Sequence, residues 1–248
     1  MALVLRQPKR VYPKMPKCLP LIDQYPLYAL KFDGVDDRVD LPHVLTGIGT
    51  KITISAWICP AAYQDYWTIF EHRAGERDVA FGLGTDRKMH FFTFYFDGSY
   101  EDLVGAKEIT LNKWWHVAAV HDGSAKRIYV NGVQDAVDAT VKDLDFDSNY
   151  YAETIGAHRV TDAYGANGEI DEVCIYNRAL SQAEIQYNMY NPLSPIRDGL
   201  VLFLPMIEGV GTSVKDFSGF GNNGTLYGGV GWVELAKYEI PAGQLAYD

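Results

Sequence analysis

The sequence has no uninterrupted apolar run near the ~20 residues needed to cross a bilayer; its longest are short ones such as Leu200 to Met206. A membrane-spanning chain is excluded on that ground. Cysteine is scarce as well, at three residues, Cys18, Cys59 and Cys174, with no C-x-x-C spacing. From their odd number and spacing, neither a zinc site nor a disulfide framework is indicated. Cys59 and Cys174 fall inside strand-like text, where a buried free thiol is the expected state. Positive charge is the third shortage. Of 22 basic residues, five lie in residues 1–20, which hold no acid; the other 228 residues carry 17 basic against 32 acidic groups, a net −15. So acidic a body lacks the clustered cations that phosphate backbones require, and nucleic acid is an unlikely partner. There is also no secretory core at the start: Met1 to Leu5 is too short, and Arg6-Gln7-Pro8 ends it. That reading expects synthesis in the cytosol.

What is present is aromatic and turn-rich. The 17 Tyr, 11 Phe and 5 Trp, with 23 Gly and 11 Pro, fit many short strands joined by tight turns. Residues 1–26 contain Pro8, Pro13, Pro16, Pro20 and Pro26 with Arg6, Lys9, Arg10, Lys14 and Lys17 between them. Such text favours an extended arm with no core of its own, suited to docking on an acidic neighbour. From residue 28 onward the pattern alternates. Ile52, Ile54, Ala56 and Ile58 share one face of a strand; Thr53, Ser55 and Trp57 take the other. Trp115–His121 and Lys126–Val130 read as strands joined by Asp122-Gly-Ser-Ala125, and Val130-Asn-Gly-Val133 as a hairpin turn. Met89–Phe96 and Glu169–Tyr176 are further strands. One helix is predicted, opening at the capping box Ser181-Gln-Ala-Glu184 and ending before Pro192. Residues 191–197 read as a linker, after which strand text resumes at Gly199–Leu204.

Four phrases in this order resemble the LamG-like, concanavalin A-type jelly-roll modules. They are Ala29-Leu-Lys-Phe-Asp-Gly-Val-Asp-Asp37, Ile52-Thr-Ile-Ser-Ala-Trp57, Trp115 to Gly123 with Ile128-Tyr-Val-Asn-Gly132, and Gly168-Glu-Ile-Asp-Glu-Val-Cys-Ile-Tyr-Asn-Arg-Ala-Leu-Ser181. The resemblance implies an all-β fold, two antiparallel sheets stacked as a jelly-roll sandwich with one short helix, and binding or structural roles more often than catalysis. The text with which such modules usually begin stands here at the end, at residues 198–204, 216–226 and 232–233. We therefore expect a circularly permuted single sandwich over residues 27–248, with 198–236 supplying its first strands. A truncated second module, or a tail completing a neighbour's sandwich, are the other arrangements open to this text.

The chemistry-bearing patterns are few. Gly219-Phe-Gly-Asn-Asn-Gly224 spells a dinucleotide fingerprint, but Thr225-Leu-Tyr-Gly-Gly229 behind it is no helix, so its glycines read as loop positions with positive φ. Glu169-Ile-Asp171-Glu-Val173 matches the carboxylate strand of related glycanases only in part, because Val173 stands where a second catalytic carboxylate is required. The six histidines show no metalloprotease spacing and read as structural. No catalytic residue and no organic cofactor is expected. The resemblance suggests one structural Ca2+ near Asp216, Asn222 and Asp171; the alternative is that Asp216 only caps its own turn. A sugar site would draw on aromatics in loops. Tyr63, Tyr66, Trp67, Tyr100, Tyr150, Tyr151 and Tyr164 lie near Arg73, Arg77, Asp78 and Arg159, and Tyr66, Trp67, Arg73 and Arg159 are the chosen candidates. The leading functional expectation is a non-enzymatic surface protein of a larger assembly, such as a virion decoration, spike or capsid-associated subunit. Its arm would bind other copies or other subunits of a shell or filament. The rival is a free carbohydrate-binding module, and a glycoside hydrolase stands third.

Overall fold

The computed structural model of the chain describes residues 27–45, 49–73, 79–95, 99–139, 142, 144, 152–157 and 165–235. The basic arm with Arg6, Lys9, Arg10, Lys14 and Lys17, together with Arg77, Asp78, Tyr150, Tyr151, Arg159 and Tyr164, lies outside the described residues. The strands are β1 (Leu27–Asp33), β2 (Arg38–Leu41), β3 (Ile52–Pro60), β4 (Trp67–Arg73), β5 (Val79–Leu83), β6 (Met89–Phe94), β7 (Tyr100–Val104), β8 (Trp115–His121), β9 (Lys126–Val130), β10 (Val133–Asp138), β11 (Ala152–Ile155), β12 (Asn167–Tyr176), β13 (Leu200–Leu204), β14 (Ser213–Val214), β15 (Gly224–Tyr227) and β16 (Gly231–Leu235). Helix α1 spans Gln182–Tyr190.

They form two antiparallel sheets. Sheet A runs β10-β9-β8-β3-β12-β1-β16, and sheet B runs β14-β15-β2-β11-β4-β5-β6-β7. Strand β12 organises sheet A. One edge pairs with β3; the other is shared end to end, with β1 taking Asn167–Ile170 and β13 taking Val173–Tyr176. The tail reaches both sheets, since β16 also pairs with β1 and β15 with β2. Between the sheets lies the main core, where Phe32, Trp67, Phe70, Phe81 and Phe91 are fully buried.

The predicted alternation in β3 holds, with a further consequence. Ile52, Ile54, Ala56 and Ile58 enter the core, yet every residue of the strand is buried. The outward face is covered by α1 and the flanking chain. Thr53 Oγ1 donates to the Arg178 carbonyl at 2.8 Å and accepts from the Leu180 amide at 2.9 Å. Tyr176 Oη donates to the Ile196 carbonyl and accepts from Asn188 Nδ2. Helix α1 begins with the full capping box. The Ser181 side chain accepts from the Glu184 amide, and the Glu184 carboxylate accepts from the Ser181 amide. Asn131 and Gly132 both take positive φ, 50° and 73°, which matches the right-handed twist of the β9–β10 hairpin. Gly219 and Gly221 also take positive φ, and strand β15, not a helix, follows them.

A bulge interrupts β12. Between Asp171 and Cys174 it advances three residues while β3 advances two, and Glu172 adopts φ 53°. Glu169 stands opposite Cys59 and Asp171 opposite Trp57, on the outer face of sheet A, while Val173 is turned into the core. The third position of the glycanase pattern therefore differs from the first two in direction as well as in residue type.

Candidate functional site

The outer face of sheet A is occupied by its own apolar cover. Among the described residues no comparable apolar cluster covers that of sheet B, and the chemistry of its exposed end is set by strand β6. Met89 and Phe91 point into the core, so His90, Phe92 and Phe94 point outward. Register with β7 puts Val104, Asp102 and Tyr100 opposite those three. One cross-strand row crosses the whole sheet as Ser213, Thr225, Asp40, Thr154, Glu71, Ala80, Phe92 and Asp102. Its middle, at Thr154 and Glu71, is buried. The β6–β7 end is open, with Phe94 37% and Tyr100 63% exposed.

Rings line this open end in sequence. Tyr66 lies 4.8 Å from Phe92, Phe92 6.2 Å from Phe94, and Phe94 5.8 Å from Tyr100, between ring centroids. The His90 imidazole stacks on Phe92 at 5.6 Å and 8°. It is gripped by two carboxylates: Nδ1 lies 2.9 Å from Asp102 Oδ2 and Nε2 3.0 Å from Asp86 Oδ1. Burial opposes a charge on His90, but the hydrogen bonds to Asp102 and Asp86 outweigh it, and its pKa is raised. Asp86 is placed by the β5–β6 turn, where its carboxylate accepts the Lys88 amide and Arg87 takes φ 68°. Gly84 is required in that turn because a Cβ there would fall 2.5 Å from His90 Nε2. Beneath the ledge, Lys126 Nζ donates to Thr93 Oγ1 and to the Glu101 carbonyl, tying β9 to the inner side of β6 and β7. At the far side of the sheet Arg38 pairs with Asp40 at 2.9 Å and lies over the Tyr227 ring.

The expected site residues are distributed differently. Tyr66 is on the ledge, held at φ 59°, a left-handed conformation that costs an ordinary residue about 1–2 kcal/mol. Trp67, expected as a sugar platform, is instead fully buried in the core, with Nε1 donating to the Asn167 carbonyl. The reason is strand alternation, which sends Trp67 inward beside Ile69. Arg73 ends β4 opposite Ala152. Tyr63 commits its hydroxyl to the Ile109 carbonyl. His90, Phe92, Phe94, Asp86 and Asp102 were not singled out from the sequence.

The expected calcium ligands are also placed. Asp216 Oδ1 accepts the Phe203 and Ser218 amides, and Oδ2 accepts the Ser218 hydroxyl and the Asn222 amide. Asn222 Nδ2 donates to the Val201 carbonyl. Donors thus surround this carboxylate, and a cation would have to displace them. Asp171 lies in β12 and accepts the Glu172 amide. Among the described residues, acidic, His or Cys side chains converge in threes at two places, neither of which includes Asp171 or Asp216. One is Asp33, Asp36 and Asp37 in the β1–β2 turn. There Asp37 accepts the Asp33 and Gly229 amides, and burial, with Asp33 and Asp36 adding to it, raises its pKa.

The model of the concanavalin A-like lectin/glucanases superfamily matches residues 33–186. The chain belongs to that superfamily. No curated protein matches the sequence. Among solved structures, a candidate carbohydrate-binding protein from Bacteroides ovatus superposes with a TM-score of 0.69 at 19% identity, covering 86% of this chain and 61% of its own. The chain thus spans less than two thirds of that protein. The CBM40 of a Ruminococcus gnavus IT-sialidase gives 0.53 at 13% identity, over 64% of this chain and 96% of its own. Domain 4 of AbnA, an extracellular arabinanase from Geobacillus stearothermophilus, gives 0.52 at 21%, over 60% and 70%. At these identities the likeness to the solved structures shows the fold alone. No helix among the described residues is long and apolar enough to cross a membrane.

Proposed function

We propose that this domain binds carbohydrate, without catalysis, at the β6–β7 end of the outer face of sheet B. The observation that carries the reading is the aromatic ledge of Tyr66, Phe92, Phe94 and Tyr100, buried at Phe92 and exposed at Phe94 and Tyr100, beside the His90–Asp86–Asp102 cluster. Apolar C–H faces of a sugar ring stack on aromatic rings, and the Asp86 and Asp102 carboxylates, held in place by His90, can accept from its hydroxyls. The solved relatives support the same class of ligand: AbnA domain 4 was solved with arabinotriose, and the Ruminococcus gnavus module with α2,3-sialyllactose. The charge around this ledge favours neutral glycans over sialylated ones, because Asp86 and Asp102 would repel a sugar carboxylate.

The non-catalytic reading rests on β12. Glu169 and Asp171 lie buried under the apolar cover of sheet A, and Val173 faces the core, so no pair of carboxylates flanks an accessible sugar position on that strand. The assembly reading depends on residues 1–26, outside the described residues. Binding of the purified chain to immobilised neutral and sialylated oligosaccharides tests the proposal. We expect selective binding of neutral glycans with no release of reducing sugar. Absence of binding to any glycan, or hydrolysis of one, would overturn it.

A further inference from the structure

A second convergence of side chains lies on the opposite, inner side of sheet B, at the end of the β4–β11 pair. His72 of β4 and Glu153 of β11 are direct cross-strand partners. The chain leaving β2 brings His43 to the same point. One donor atom from each of His43, His72 and Glu153 lies within 4.8 Å of the other two. His72 Nδ1 is 3.0 Å and His43 Nε2 3.9 Å from Glu153 Oε1. The two imidazoles are stacked at 5.8 Å and 12°. Glu153 and His72 are buried, and the His43 side chain, 23% exposed, forms the solvent side. The carboxylate is aimed by backbone. Glu153 Oε2 accepts the Val44 amide at 2.7 Å and Oε1 the Leu45 amide at 3.0 Å, so the segment that carries His43 also orients the acid.

We propose that His43, His72 and Glu153 bind a divalent first-row transition ion, with zinc as the reference case. The donor set decides the class of ion. Two imidazoles and one carboxylate suit zinc and its neighbours, whereas calcium and magnesium take shells of about six or more oxygens, which one carboxylate cannot approach. The spacing is compatible. Donors about 2.0–2.2 Å from a tetrahedral zinc stand roughly 3.4 Å apart; rotation of the partly exposed His43 closes its 3.9 Å separation from Glu153, and the 3.0 Å His72–Glu153 pair opens slightly. The amides on Glu153 play the part of the outer hydrogen bonds that fix metal-binding carboxylates. Three ligands leave one position for water on the His43 side. The ion would pin the β2–β3 connection to β4 and β11, three segments far apart in the chain. This site is independent of the aromatic ledge, which occupies the other side of the sheet.

The test is calorimetric titration of the chelator-treated, dialysed full chain with zinc chloride, alongside the visible spectrum of the cobalt-loaded protein. We expect one equivalent of zinc, the d–d bands of low-coordinate cobalt, and no competition from excess calcium. His43→Asn, at a partly exposed position where folding should survive, should weaken zinc binding at least tenfold and abolish the cobalt bands; His72→Gln should do the same. Circular dichroism checks the fold of each variant. No stoichiometric binding by the unaltered chain would overturn the proposal. So would affinity and cobalt spectra undiminished in a folded His43→Asn variant, which would place the metal elsewhere.

Discussion

The two outer faces of the sandwich are made of similar antiparallel strands but differ in what covers them. Trp57, Cys59, Cys174, Tyr176 and Phe203 point outward from sheet A, and none is more than 4% exposed, because α1 and the chain around it lie across them. Phe94 and Tyr100 point outward from sheet B and stand open beside a clasped histidine. Burial makes the first set a second core. Exposure of the second set, on a rigid two-sheet platform, is what a binding face requires, since large exposed apolar groups carry no folding benefit. The difference lies in cover as well as in strand composition: the outward side of β3 carries Thr53 and Ser55 beside Trp57 and Cys59, and that of β6 carries His90 beside Phe92 and Phe94.

The severest way to break the comparison is to remove the chain after Asn191. That deletes β13 to β16, exposes the second edge of β12 and of β1, and strips Phe203 and Leu200 from the outer cover of sheet A. Several large side chains at about 1.5–3 kcal/mol each rival the whole stability of a domain, about 5–15 kcal/mol. The fragment should be unfolded or insoluble by circular dichroism; a soluble, cooperatively melting fragment would mean that the tail is dispensable to the sandwich.

The same chemical change on the two faces sharpens it. Phe203→Ala should cost about 3–5 kcal/mol, the range for a buried phenylalanine. Phe94→Ala should stay within about 1 kcal/mol, as exposed positions do. Denaturant unfolding of both variants measures this, and equal losses would contradict the division of roles.

Asp216→Ala removes the acceptor of three amides and a hydroxyl. We expect a loss of about 2–4 kcal/mol, within the scale of charged hydrogen bonds and the donors they leave bare. The loss should be the same with calcium chelator present; a loss seen only in calcium would show that the ion, not the loop, holds Asp216.

The fold was largely legible in the sequence because its signals are local. Alternation marked β3, β8, β9 and β12, the capping box marked α1, and Asn131-Gly132 marked a hairpin. The ledge was not, because it gathers Tyr66, Asp86, His90, Phe92, Phe94, Tyr100 and Asp102 from four separate stretches whose adjacency is set by sheet register. One signal did exist. His90, Phe92 and Phe94 alternate with Met89 and Phe91, so β6 had to present an aromatic face away from the core. Nothing local distinguishes Tyr66 from Trp67; strand alternation from β4 buries one, and a left-handed backbone turns the other outward. His43, His72 and Glu153 likewise have no spacing motif, since loop and strand ends far apart in sequence bring them together.

A smaller effect comes from His90. Its folded pKa is raised, so its contribution to stability is complete below its ordinary value of about 6.5 and fades as pH climbs through the raised value. With Asp86 well exposed, the effect should be under about 1 kcal/mol. His90→Asn should flatten that part of the stability profile, measured as urea midpoints between pH 5.5 and 8.5. An identical slope in the variant would assign it to another group.

The most direct measurement is the glycan affinity of the Phe94→Ala, Tyr100→Ala double variant, read together with its melting temperature. Both rings are exposed, so their loss should leave the melting temperature within a few degrees of the unaltered chain while glycan affinity falls tenfold or more, about 1.4 kcal/mol or greater. Unchanged affinity in the folded variant would contradict the assignment of the binding face to sheet B.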